Sequence, residues 1–299
     1  MLNIYFLESA PQVLSAYQAC QYYPGNNVFI IRTNGKALND LQIEKTIDVL
    51  KINNLGKIIK GMPLSINVPV YLLILVLMSR VVKTRFLMGD CRGKFGGIIK
   101  KLISSSKNIL IDDGIASLTY FHDQKDQQTS KANQPFDEIY TALPLKDELI
   151  VNHRFESLAT SSCKFKILED SAIFIGSKVV EVGLMSQCEF EKSIDKFIAK
   201  NSDKKLFYIA HRAEKLNKLG KYRSKMEIKY LDLPIELDCI SRCVLPKVIE
   251  GFYSGAFLFF KHLDLKLIIA NHEIKKTQAN FGFHAAISRC NSLFAKIRS

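Results

Sequence analysis

One feature constrains this chain more than any other: short apolar runs alternate with stretches of helical spacing, and after a break the alternation starts again. Asn3–Leu7 reads as a strand, Ala10–Tyr22 as a helix, and Asn27–Arg32 as a second strand followed by a helix near Leu41–Asn54. Thr84–Gly89 and Asn108–Ile111 read as further strands, with the helical pattern of Lys94–Ser104 between them. In the second half Ser171–Gly176, Lys205–Ala210, Met226–Tyr230, Cys239–Val244 and Leu265–Ala270 read as strands. Glu189–Asn201, Gly251–His262 and Ala285–Ile297 read as helices. Strand–helix–strand alternation produces parallel sheets covered by helices. The fold class expected is therefore α/β, as two successive domains with a cleft between. The expected spans are 1–165, 166–275, and a terminal helical segment 276–299 that returns to the N-terminal domain.

Composition narrows the class further. At 299 residues, 47% hydrophobic and 24% charged, the chain buries a real core, which excludes disordered and collagen-like chains. Its seven cysteines are irregularly spaced and form no CxxC pair, so neither a disulfide framework nor zinc is expected, and a reducing cytoplasm fits. Forty-two Lys and Arg against 29 Asp and Glu leave a net charge of +13, which favours anionic partners. The N-terminal residues lack the basic start of a signal peptide and read as a buried strand. The longest apolar run, Val68–Met78, falls short of the roughly 20 residues that span a bilayer and reads as a core element, with a membrane-dipping segment as the alternative. A cytoplasmic protein with a peripheral contact on an anionic membrane is expected, and no nucleic-acid partner, because aromatics are not interleaved with Lys and Arg.

Three stretches carry candidate chemistry. Asp112-Asp113-Gly114 follows the strand ending at Ile111, and ligands of parallel sheets gather at the carboxyl ends of strands. One of the two carboxylates is placed to take a proton from an attacking hydroxyl; the dipeptide Asp-Gly also reads as a simple turn. His211-Arg212-Ala213-Glu214 again follows a strand, and an imidazolium beside a guanidinium suits a phosphate; the same residues read equally as a helix start with a solvated Arg–Glu pair. Gly251-Phe252-Tyr253-Ser254-Gly255-Ala256 opens a helix with small residues, a seat for an anion, and Glu236 upstream is a candidate contact for a base or sugar. The glycine-rich Arg92–Gly97 matches no phosphate loop, and the histidines other than His211 lack metal-ligand spacing.

The order of these stretches resembles the bacterial sialyltransferases, most of all their polysialyltransferase and lipooligosaccharide sialyltransferase group. Ser9-Ala10-Pro11-Gln12 after the first strand is similar to the family's opening motif, and Gly89-Asp90-Cys91-Arg92 to its Gly-Asp-Tyr-Arg segment. Ile111-Asp112-Asp113-Gly114 resembles its acidic motif, Phe174-Ile175-Gly176 with Glu181 and Gly183 its second-domain strand, His211-Arg212 its histidine motif, and Gly251–Ala256 its phosphate seat. The chain departs from the family in having Arg212 where many members have Pro, and Gly255 where a second Ser stands.

The resemblance implies a GT-B architecture of two Rossmann-like domains facing a central cleft. It implies CMP-sialic acid as donor, a glycan hydroxyl as acceptor, inversion at the anomeric carbon, and neither metal nor cofactor. It assigns catalysis to Asp112 or Asp113 and to His211. Gly114, Arg212, Glu236, Tyr253, Ser254 and Gly255 fall on the donor and phosphate side, and Pro11, Gln12, Asp90 and Arg92 on the acceptor side. A transferase using another CMP-sugar or a nucleotide-diphosphate sugar is the alternative within the class. A non-enzymatic binder of an anionic polymer is the alternative outside it.

Overall fold

A computed structural model describes residues 1–61, 67–91, 93–113, 136–159, 163–277, 280 and 284–295. The chain divides into two compact units, Met1–Ser161 with Asp232–Pro234, and Ser162–Leu231 with Ile235–Ser299. The polar stretch 123–134, expected as a surface loop, lies outside the described residues.

The first unit is built on seven parallel strands: β1 (Leu2–Leu7), β2 (Asn26–Arg32), β3 (Gly56–Gly61), β4 (Thr84–Met88), β5 (Lys107–Ile111), β6 (Glu138–Thr141) and β7 (Ile150–Asn152). Their order is β3-β2-β1-β4-β5-β6-β7. β1 lies between β2 and β4, with Ile4 opposite both Val28 and Phe86. All six residues of β1 are buried, which is why the strand is apolar on both faces except at Asn3, whose Nδ2 donates to Tyr23 O and Asn27 Oδ1 at 2.9 Å each. The helices are α1 (Ala10–Tyr22), α2 (Ala37–Val49), α3 (Asn67–Val81), α4 (Lys94–Leu102) and the single turn α5 (Glu156–Ala159). Pro11 falls in the first turn of α1, where its missing N–H costs nothing.

The run Val68–Met78 is not the core element expected of it. It forms most of α3, and among the side chains described in that helix only Leu75 and Ser79 are buried.

The second unit holds five parallel strands: β8 (Lys166–Ile175), β9 (Lys205–Ile209), β10 (Glu227–Lys229), β11 (Val244–Gly251) and β12 (Ile268–Asn271). Their order, β10-β9-β8-β11-β12, repeats the 3-2-1-4-5 pattern of the first five strands of the first sheet. Its helices are α6 (Gln187–Lys200), α7 (Ile235–Arg242), α8 (Ala256–His262) and α9 (His284–Ala295). Ser186 and Glu189 form a reciprocal capping box that starts α6. The core centres on Phe174, whose ring stacks on Tyr208 at 5.7 Å and meets Phe197 and Phe252 edge-on. The terminal helix α9, expected to return to the N-terminal domain, packs within this unit: Phe294 lies against Tyr253 and Phe257.

Three sequence expectations need correction here. Cys239–Val244 is not a strand. Residues 235–242 form α7, with Glu236 and Asp238 in its first turn, Arg242 in its last, and an Asp238–Arg242 pair one turn apart, all favourable to the helix dipole. The strand is β11, hidden in the sequence by Pro246, where the pairing register with β8 shifts. Second, the helix expected from Gly251 begins at Ala256, because Tyr253 takes a left-handed conformation (φ 43°). Third, the chain does hold a disulfide. Lys166 and Val244 pair at the starts of adjacent strands, so the preceding Cys163 and Cys243 come within 5.7 Å at Cα and are bonded.

Candidate active site

In an open parallel sheet the ligand edge is the carboxyl end of the strands, at the point where the strand order reverses. In the first unit that point lies between β1 and β4. There the chain presents Glu8-Ser9 after β1, Gly89-Asp90 after β4 and Asp112-Asp113 after β5. Gln12, near the start of α1, braces this edge. Its side-chain oxygen accepts the Glu8 N–H at 2.8 Å, and its Cγ lies so close to Gly89 that a Cβ there would stand 2.4 Å away. The position admits only glycine while Gln12 stays.

The two aspartates have different surroundings. The Asp112 carboxylate accepts the Ala142 N–H at 2.6 Å and the Thr141 hydroxyl, and His153 Nε2 stands 3.5 Å from it. The Asp112 N–H itself donates to Ser15 Oγ at 3.0 Å. His153 is buried and stacked on Tyr140 at 4.6 Å. Asp112 is thus bolted to β6 and α1. Asp113 turns instead toward the β1–α1 turn, where the Ser9 hydroxyl donates to its Oδ1 at 3.2 Å. Glu8 shares this edge and pairs with Arg32 at 2.5 Å. Burial raises the Glu8 carboxyl above the usual range, Arg32 opposes the rise, and the charges of Asp90 and Asp113 add to it. Arg92 and Gly114 lie outside the described residues.

In the second unit the corresponding edge carries Gly176 after β8, His211 after β9, Glu236 at the start of α7 beyond β10, and Tyr253–Gly255 after β11. Glu214 organises the histidine loop. Fully buried at its side chain, it accepts from the Tyr208 hydroxyl, from Lys218 Nζ at 2.6 Å and from the His211 N–H at 2.9 Å. Gly176 lets that carboxylate approach, since a Cβ there would meet Glu214 Oε2 at 2.3 Å. His211 Nδ1 accepts the Ala213 N–H at 3.1 Å, so the neutral ring carries its proton on Nε2. Burial, with Arg212, Lys178 and Lys218 around it and Glu181 opposing, lowers His211 to about 4. At neutral pH it is therefore an imidazole that donates through Nε2, not the imidazolium the sequence suggested.

Around the last candidate stretch, Tyr253 is a strut. Its N–H donates to Asn271 Oδ1 at 2.6 Å, while its hydroxyl accepts the Ile274 N–H at 3.0 Å and reaches Asn291 on α9. Ser254 Oγ accepts the Ala256 N–H at 3.3 Å, and Gly255 caps the short α8. Glu236 is half-buried in the first turn of α7, and burial pushes its carboxyl up to about 7. Among the described residues no three His, Cys, Asp or Glu side chains are grouped to hold a metal.

Sequence reading thus found the strand-end positions but missed Glu8, Arg32, Thr141 and His153. Glu8 carried a usable signal, a charge placed immediately after a strand. Thr141 and His153 carried none, because only sheet pairing brings β6 beside β5.

No protein-family model matches the chain, and no curated protein does. Solved structures do. The UDP co-structure of S. aureus MnaA is 10% identical over 99% of this chain and 89% of its own, at TM-score 0.56. An alpha/beta-galactoside alpha-2,3-sialyltransferase from Photobacterium phosphoreum is 16% identical over 98% and 96%, at 0.54. The gt-b domain of a Photobacterium damselae sialyltransferase is 13% identical over 98% and 97%, at 0.51. The likeness spans nearly the whole chain and identifies the fold as α/β of the GT-B type, with two parallel sheets.

Proposed function

We propose that this protein is a nucleotide-sugar-dependent glycosyltransferase that moves sialic acid from CMP-sialic acid to a glycan hydroxyl with inversion. The observation that supports the reading is the different setting of the two aspartates at one strand end. Asp112 accepts from the Thr141 hydroxyl and the Ala142 N–H, whereas Asp113 turns to the β1–α1 turn, where the Ser9 hydroxyl donates to its Oδ1. Asp113 then takes the proton of the acceptor hydroxyl as its oxygen attacks carbon 2 of the sialic acid. The bond from that carbon to the CMP phosphate breaks, and CMP leaves. His211, neutral and protonated on Nε2, donates a hydrogen bond to the phosphate as its charge develops, and the Ser254 hydroxyl, whose oxygen accepts the Ala256 N–H, adds a second donor. Arg212 supplies a fixed positive charge nearby. A monophosphate leaving group asks for less charge neutralisation than a diphosphate, which suits these side chains acting without a metal. Pro11, Gln12 and Tyr253 enter as supports of the two edges, not as groups that touch substrate.

A second reading, an enzyme acting on a UDP-sugar, is favoured by the S. aureus MnaA–UDP structure and by the Methanocaldococcus jannaschii UDP-GlcNAc 2-epimerase in complex with UDP-GlcNAc and UDP (11% identical over 100% of this chain and 93% of that one, TM-score 0.54). The deciding experiment incubates the protein with CMP-sialic acid and a panel of lactosides and sialosides, and in parallel with UDP-GlcNAc, and weighs the products. A sialylated acceptor with release of CMP is expected. Consumption of UDP-GlcNAc with CMP-sialic acid left intact would replace the first reading by the second.

A further inference from the structure

Helix α3 turns an apolar stripe outward. Val70, Leu73, Leu77 and Val81, spaced three to four residues apart, are 54%, 60%, 58% and 84% exposed, with Ile74 and Met78 (46% and 41%) beside them. Leu and Ile singly at a surface mean nothing, but a stripe running the length of a helix is a surface made to be covered. It extends beyond α3. The Ser104 N–H donates to Ser79 Oγ at 3.0 Å, which fastens the end of α4 beside the end of α3, and α4 exposes Ile98 (55%) and Leu102 (47%) one turn apart.

The charge around this patch says what covers it. Between residues 49 and 111 the sequence holds eleven Lys and Arg and a single acid, Asp90. Several of these cations rim the stripe. Arg80 and Lys83 are exposed at its end, Lys101 is exposed on α4, and Lys57 Nζ lies 4.3 Å over the Tyr71 ring of α3. Apolar side chains rimmed by cations match a bilayer with anionic headgroups, where tails accept the one and phosphates the other. At 15 residues α3 is about 22 Å long, short of the roughly 30 Å of hydrocarbon, so it lies in the interface and does not cross it. No described helix is long and apolar enough to cross a membrane. Right-handed crossovers put α3 and α4 on one face of the first sheet, which leaves the carboxyl edge with Asp113 uncovered.

We propose that the α3–α4 face docks the protein on an anionic lipid surface. The inference is independent of the transfer reaction. Its test is flotation of the full chain with vesicles of phosphatidylcholine alone and of phosphatidylcholine containing about one third phosphatidylglycerol. Binding to the anionic vesicles only, weakened by added salt, is expected. Leu73→Asp with Leu77→Asp is expected to cut the bound fraction roughly tenfold, and Arg80→Glu with Lys83→Glu and Lys101→Glu to do the same, because interfacial anchoring needs both signals. If the first variant fails to fold, Leu73→Ser with Leu77→Ser replaces it, with an unchanged thermal melt as the control. A wild-type protein that stays off the anionic vesicles, or a stripe variant that floats as well as wild type, overturns the proposal. So does a dimer that the stripe substitutions split while vesicle binding persists, since the face would then belong to a second copy of the chain.

Discussion

The two units share a strand order but not a chemistry. Each carries its candidate groups at the carboxyl edge of a parallel sheet, where the order 3-2-1-4-5 reverses. In the first the edge is acidic, with Glu8, Asp90, Asp112 and Asp113; in the second Arg212, Lys178 and Lys218 put positive charge around a neutral His211. Both edges are held by a carboxylate that spends its lone pairs on the protein, the half-buried Asp112 in one unit and the buried Glu214 in the other. The difference teaches that topology decides where a group stands, while the bonds around it decide whether it is a bolt or a tool.

The contrast between the two aspartates is the first place to break that picture. Asp113→Ala is expected to lower kcat of sialyl transfer by roughly 10²- to 10⁴-fold at an unchanged thermal melt, whereas Asp112→Ala lowers the melting temperature as well. Full turnover in the Asp113 variant removes it as the base. Within the second unit, Glu214→Ala leaves Lys218, the Tyr208 hydroxyl and the His211 N–H short of a partner in a buried site, and a loss of about 3 to 5 kcal/mol in urea unfolding is expected. A cost below 1 kcal/mol would show that Glu214 is not the organiser of its loop.

Smaller effects sharpen the comparison. His211→Ala is expected to slow turnover about 10- to 100-fold, and Ser254→Ala to weaken CMP binding about tenfold by calorimetry, since each removes one donor to the phosphate. If neither changes, the cationic edge has no part in the reaction. A separate effect is in stability against pH. Folded His211 titrates near 4 and the unfolded residue near 6.5, so between these values the unfolded chain binds the extra proton and stability falls as the medium is acidified. His211→Gln should flatten that part of the profile. Glu236 acts with the opposite sign: its folded carboxyl titrates near 7, so stability falls as pH rises from about 4.5 to 7, and Glu236→Gln should remove that decline.

Much of the architecture was legible because its signals are local. The limits of α1 were readable from Pro11 and the apolar spacing behind it, and β1, β4, β5 and β9 announced themselves as continuous apolar runs. Strand β11 and helix α7 were misread because Pro246 disguises a central strand, while the β-branched and sulfur-containing residues of 239–244 imitate one. α3 was misread for another reason: an apolar run states that water is unfavourable, but not whether protein or something else will replace it.

By itself the sequence determined that the chain folds as two parallel α/β units, and that Asp112-Asp113 and His211 stand just after strands. Such facts depend on residues a few positions apart. Only the tertiary structure decided that Asp112 is anchored by Thr141 and Ala142, that His211 is neutral, that Cys163 bonds Cys243, and that the apolar stripe of α3 faces outward. Each of those depends on groups dozens of residues distant in the chain, brought within a few ångströms by strand pairing and burial, and no local pattern records that proximity.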